Sequence, residues 1–149
     1  MAAKIANYST SVPLYQTTGE IQKILVSHGA SDIMFQYDGG LLVGVAFRVS
    51  GPDGAVAFKL PARWENVQAA LKKQGVAKAQ RTEEHAQRVA WRLIRDWLRA
   101  QMSLLAADMV DLAEVFMPYM LGEGSKTAYE LWQRGRLALP RGDDDGDQR

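Results

Sequence analysis

The sequence predicts an α+β fold: an N-terminal helix packed on a small antiparallel three-stranded meander, followed by a helical C-terminal half. Three observations predict it. Apolar residues alternate with polar or small ones from Ile33 to Leu60, interrupted by two glycine-rich turns. After Pro61 the apolar period lengthens to that of a helix, and a helical pattern with a glycine stop precedes the first strand. A chain of 149 residues is long enough for a real core, since a domain near this size buries roughly 70% of its unfolded surface. Residues 1–135 read as a single α+β domain, with helix plus meander over 1–60 and the helical part over 61–135. Residues 136–149, including RGDDDGDQR, read as a mobile acidic tail because they hold few apolar residues.

Each element has a local signature. KIANYST suits a strand or an ordered arm. Thr17 and Glu20 have capping-box spacing, with Thr17 as the cap and Glu20 reaching back to its amide. Ile21, Ile24, Leu25 and His28 then share a helical face, and Gly29 suits a left-handed stop. Ile33, Phe35 and Tyr37 alternate up to the turn Asp38-Gly39-Gly40, and Leu41, Val43, Val45, Phe47 and Val49 continue beyond it. Gly51-Pro52-Asp53-Gly54 turns the chain into AVAFKL, with Val56, Phe58 and Leu60 facing one way. The other sheet face is small-sided: Gln36, Gly44, Ala46, Arg48, Ala57 and Lys59. A helix opens near Pro61 and stops at Gly75, and VAKAQR links it onward. Thr82 caps the longest helix, about 82–107, with Glu83 and Glu84 in its first turn. Asp111 and Glu114 open DLAEVFMPYML, which Pro118 shortens or kinks. KTAYELWQR forms a last short helix, stopped at Gly135.

Composition excludes several classes of function. Hydrophobic residues at 47% and charged residues at 23% are ordinary for a soluble globular protein. With no cysteine, the chain has neither disulfides, thiolate metal sites nor a cysteine nucleophile. MAAKIANYSTSVP lacks the apolar segment of a signal peptide, and no run approaches the ~20 apolar residues of a membrane span. A cytoplasmic protein without a membrane partner is expected. Net charge is +1 but uneven. Residues 61–107 carry nine Lys and Arg against four acids, whereas residues 108–149 carry five against nine. The middle segment therefore suits an anionic partner.

GEGSKT, residues 122–127, superficially resembles the end of a phosphate-binding loop. That loop requires Gly-x4-Gly-Lys-Ser/Thr between a buried strand and a helix, because its backbone amides must converge on phosphate. Here Ser125 precedes Lys126, Met120 holds the first glycine position, and a helical segment with Pro118 comes before. The stretch reads as a helix–loop–helix junction, with Ser125 or Thr127 capping the next helix. Two separated histidines make no zinc site, and Asp143-Asp144-Asp145-Gly146-Asp147 lacks the later bidentate glutamate of a calcium loop. His28 reads as a capping or packing residue, His85 as exposed, and Trp91 as nearer the boundary than the other tryptophans. No nucleophile, base and oxyanion donor assemble, so a non-enzymatic protein without cofactor or metal is expected.

The candidate site is an arginine row on the longest helix. Arg88, Arg92, Arg95 and Arg99 are spaced 4, 3 and 4 apart and fall within roughly 60° of one another. Val89, Ala90, Leu93, Ile94, Trp97, Gln101, Leu104 and Leu105 spread over the opposite face, so the row is expected to point outward. Guanidinium groups in a row suit nucleic-acid phosphates or an acidic protein. The bland alternative is a solvated face with Glu84–Arg88 and Arg92–Asp96 pairs. Lys72, Lys73, Lys78 and Arg81 extend the basic surface upstream.

IQKILVSHGASDIMFQYDGG, RVAWRLIRDWLRAQM and GSKTAYELWQ, in this order, resemble a group of small proteins encoded by tailed bacteriophages and prophages. The resemblance spans about Tyr8 to Gln133 and implies a phage gene product in the bacterial host cytoplasm. It implies no activity and no catalytic residue. The leading expectation is a phage accessory protein that binds nucleic acid in replication, recombination or regulation through Arg88, Arg92, Arg95 and Arg99, helped by Arg81, Lys72 and Lys73. The alternative is an inhibitor or adaptor that binds a host protein, such as a defence protein. A homodimer through the tryptophan-rich helices is compatible with either.

Overall fold

A computed structural model describes residues 3–51 and 54–135. The expected acidic tail at 136–149 and the central pair of the second hairpin turn, Pro52 and Asp53, lie outside the described residues. The elements follow the expected order: α1 (Leu14–Ser27), β1 (Ala30–Asp38), β2 (Leu41–Gly51), β3 (Gly54–Pro61), α2 (Trp64–Lys73), α3 (Glu83–Ala106), α4 (Leu112–Phe116) and α5 (Ala128–Gln133). The strands form one antiparallel sheet in the order β1-β2-β3.

One sheet face packs on α1, α3 and α4. Val45, Phe47, Val49, Phe58 and Leu60 turn inward together with Ile21 and Leu25 of α1 and Trp91, Leu98 and Met102 of α3. Phe116 of α4 meets Phe47, Phe58 and Trp97 with ring centres 5.3–5.6 Å apart, offset and edge-on geometries that suit aromatic quadrupoles. α2 lies against another side of α3, where Trp64, Leu71 and Val76 pack on Ala86, Val89 and Ala90. The opposite sheet face carries the expected small-sided set, with Gln36 paired to Gly44, Ala46 to Lys59 and Arg48 to Ala57. Arg48 also lies 3.6 Å from the Asp32 carboxylate there. A Cβ on Gly44 would come 3.0 Å from both the Leu60 carbonyl and the Gln36 side chain, so a larger residue here would need both neighbours to give by a few tenths of an ångström.

The first hairpin departs from simple alternation. The register slips between Gln36 and Tyr37, so that Gln36 faces Gly44 while Tyr37 faces Leu42. The bulge adds a residue on β2 and reverses the alternation. Leu42 becomes the core residue in place of Leu41, and Tyr37, expected on the packed face, is left at the rim with 68% of its surface in solvent.

α1 begins earlier than its capping signature suggests. Pro13, fixed near φ −62°, precedes Leu14, and the helix runs on through Thr17. Thr17 is fully buried and Glu20 faces α3, so the expected capping box does not form. Leu14 packs on the core, which stabilises the added turn. α2 likewise does not open at Pro61, which ends β3; it starts at Trp64 after Arg63, without a side-chain cap. The Thr82 and Asp111 caps are as expected. Thr82 accepts from the His85 amide (3.1 Å), Asp111 from that of Glu114 (2.8 Å), and α4 gives way at Phe116 to a 3-10 turn containing Pro118.

GEGSKT is the expected junction. Residues 123–125 form a single 3-10 turn and Thr127 caps α5. The segment also runs beside the sheet edge, where the Leu121 amide donates to the Ala57 carbonyl (2.9 Å). Thr127 and Glu130 close a reciprocal capping box: Thr127 Oγ1 accepts from the Glu130 amide (3.2 Å), and Glu130 Oε1 accepts from the Thr127 amide (3.3 Å) and hydroxyl (3.2 Å). Burial works to raise the Glu130 pKa, but these Thr127 bonds and the nearby Lys126 and Lys59 outweigh it and hold the carboxyl below its ordinary value. A lowered folded pKa stabilises the fold above the unfolded value of about 4.3, and that stability disappears as pH falls through the folded pKa. Glu130→Gln can still close the box but loses the charge, and is therefore expected to cost about 0.5 kcal/mol at pH 7. The gap to the wild type should close below pH ~4. Urea unfolding at both pH values checks this, and a gap independent of pH would contradict it.

Candidate nucleic-acid interface

Of the arginine row of α3 only Arg99 faces open solvent; Arg88, Arg92 and Arg95 are partly covered. α1 lies along the row. The Arg92 guanidinium donates to the Glu20 carboxylate and, at 3.4 Å, to the Thr17 hydroxyl. Arg95 lies 3.7 Å from the same carboxylate and donates to Asp96 at 3.0 Å. Arg88 pairs with Glu84 at 3.0 Å. The side chains of Arg92 and Arg95 keep only 14% and 17% of their surface. The expected outward row is corrected here, and the reason lies in the buried arc of α3. Trp91, Leu98 and Met102 are all buried, and they sit immediately beside the row on the helix circumference. The core face of α3 thus extends to the arginines, and α1 packs over that boundary.

The outer side of α3 is crossed by the N-terminal segment, which is an ordered arm and not a strand. The Ile5 amide donates to Gln74 Oε1 (3.0 Å), and the Asn7 side chain donates to Asp96 Oδ2 (2.9 Å). The His85 ring donates from Nε2 to the Tyr8 carbonyl (2.6 Å), leaving Nδ1 to accept from Arg88 (3.4 Å). His85, expected to be exposed, is therefore buried under this arm. Trp91, expected near the boundary, is fully buried under the sheet. Burial works to raise the Asp96 pKa, yet hydrogen bonds from Asn7 and Arg95 and the charges of Arg95 and Arg92 hold its carboxyl below the ordinary value.

The upstream basic residues stand apart from the row. Lys72 and Lys73 are exposed in the last turn of α2, where they complement the helix dipole. Arg81 Nε donates to the Val76 carbonyl (2.7 Å), so Arg81 ties down the segment after α2. α2 packs on the Ala86–Val89–Ala90 side of α3, away from α1. The seven expected residues do not form one surface.

A smaller cationic site replaces the row. Lys23, Ser27 and His28 of α1 and Arg95, Arg99 and Ser103 of α3 line an open groove of about 480 Å³. Its one carboxylate, Glu20, is engaged by Arg92 and Arg95. Lys23 and Arg99 are exposed and have no ion-pair partner among the described residues. The hydroxyls are committed to local backbone: Ser27 donates to the Lys23 carbonyl (2.7 Å) and Ser103 to that of Arg99 (2.9 Å). His28 Nδ1 likewise donates to the Ile24 carbonyl (2.9 Å). The groove thus offers positive charge without a nucleophile–base pair, which suits binding of a polyanion. Lys23 was missed in the sequence, although it shares a flank of α1 with Glu20 and Ser27 at helical spacing.

Among the described residues no three or more His, Asp or Glu side chains gather as a metal site would require, and no helix is long and apolar enough to cross a membrane. Comparison with protein-family models, with curated proteins and with solved structures found no match.

Proposed function

We propose that this chain is a non-enzymatic phage accessory protein that binds the nucleic-acid backbone in the groove between α1 and α3. One observation carries the reading: Lys23 and Arg99 stand on its two walls without a partner carboxylate among the described residues, while Arg95, on the same groove, shares Glu20 with Arg92 and also pairs with Asp96. Phosphates would supply the missing negative charge. Contacts of this kind give affinity with little sequence preference, and each neutralised phosphate steepens the fall of affinity with salt. Arg92 holds α1 and α3 together and does not meet the ligand.

Fluorescence anisotropy with labelled single- and double-stranded DNA and RNA, at low and physiological salt, tests the reading. The wild type is expected to bind with a steep salt dependence. Lys23→Glu combined with Arg99→Glu should weaken binding about tenfold or more at low salt, since two attractive contacts become repulsive. No binding at low salt, or a double variant equal to the wild type, would overturn it. The second reading, an adaptor or inhibitor that binds a host protein, draws support from Tyr15 and Val26 on α1 and Met34 and Tyr37 on β1, all more than half exposed.

A further inference from the structure

We propose that a second cleft, across the buried Thr17–Ile21–Leu25 ridge of α1 from the groove, receives an unpaired base of single-stranded nucleic acid. The cleft holds about 560 Å³ between the first turns of α1, the β1–β2 turn and the start of α3. Two tyrosines stand on its walls, Tyr15 from α1 and Tyr37 from β1, with 79% and 68% of their surface in solvent. Exposed aromatic rings at this density invite stacking, because every base presents a π-face whatever its identity.

Two features point to a base and not a phosphate. The first is Gln87, which lines the cleft while keeping only 8% of its surface. Its side-chain amide has no hydrogen-bond partner among the described residues. The residue is buried, yet neither amide atom is shut off from solvent, so the amide group itself reaches the cleft and stays open to a ligand. An amide presents a donor beside an acceptor, which complements the edge of an unpaired base. The second feature is charge. Arg88 on this cleft is paired with Glu84, which lines it too, so the cleft is nearly neutral where the groove is cationic. Glu84 would repel phosphate but not a neutral base.

The inference rests on the groove reading for the backbone contacts and adds the substrate class: single strands over duplexes, because a base can enter the cleft only when unstacked and unpaired. Both sites are probed with the full chain and three ligands of similar charge. These are a labelled dT oligonucleotide, a duplex of half its length, which carries about the same number of phosphates, and inorganic polyphosphate of matched phosphate number, which has no bases. The wild type is expected to bind the single strand about tenfold more tightly than the duplex. Tyr15→Ala with Tyr37→Ala, and separately Gln87→Leu, should each weaken single-strand binding about tenfold and leave polyphosphate binding unchanged. Lys23→Glu with Arg99→Glu should weaken all three ligands. Because both tyrosines are exposed, their variant should fold, and its melting temperature confirms that. If the tyrosine variant binds the single strand as the wild type does, the base cleft is overturned while the groove reading stands, and the tyrosines are left for a protein partner. If the wild type ignores duplex and polyphosphate yet binds the single strand through the tyrosines, the groove reading falls and the cleft survives.

Discussion

Trp91→Ala is expected to lower the unfolding free energy by about 3–5 kcal/mol, the range for truncating a large buried aromatic. The indole is fully buried, with its ring 6.0 Å from Phe35 and its N–H donating to the Leu42 carbonyl at 3.3 Å. Truncation would remove apolar burial, leave a cavity under the sheet and orphan that carbonyl at the bulge. The site cannot collapse easily, because α3 is held from two sides by α1 and α2. Against a total stability of roughly 5–15 kcal/mol for a natural domain, such a loss places the variant near the unfolding threshold. Urea denaturation followed by far-UV circular dichroism measures it. A loss below about 1 kcal/mol would mean that Trp91 is less tightly packed than its burial indicates.

Glu20→Ala should cost less stability but change binding in the opposite direction. Glu20 is the carboxylate between Arg92 and Arg95; without it the largely covered Arg92 loses its ion-pair partner among the described residues, and Arg95 keeps only Asp96. Breaking a fully buried pair costs about 3–5 kcal/mol. A third of the Glu20 side chain stays in water, so screening reduces the expected loss to about 2 kcal/mol. The same change frees positive charge beside Lys23 and Arg99. Polyphosphate affinity at low salt should therefore rise severalfold while stability falls. Glu20→Gln separates the effects, because it keeps an acceptor but removes the charge. Reduced stability together with reduced polyanion affinity would contradict the groove reading, and unchanged stability would contradict the clamp.

Local chemistry determined a good deal of this protein. The three strands were legible because alternation and glycine turns are properties of adjacent residues. Thr82, Asp111 and Thr127 announced their helices because a cap involves residues three positions apart. The failed phosphate loop was legible for the same reason, since it needed a glycine that Met120 does not supply.

The tertiary structure decided the functional surface. Thr17 and Glu20 have capping spacing, but the Glu20 carboxylate reaches Arg92, 72 positions away, and no local pattern encodes that choice. The arginines share a stripe as expected, yet a stripe states only which residues lie together, not what covers them. α1 and the N-terminal arm cover most of this one, bury His85, and leave Arg99 to line a groove together with Lys23. Gln87 and the tyrosines meet only because the packed fold brings the end of β1 beside the first turns of α1 and α3. Periodicity gives each helix an inner and an outer side. Which outer side remains in water depends on elements distant in the chain, and those contacts form only when the whole core is packed.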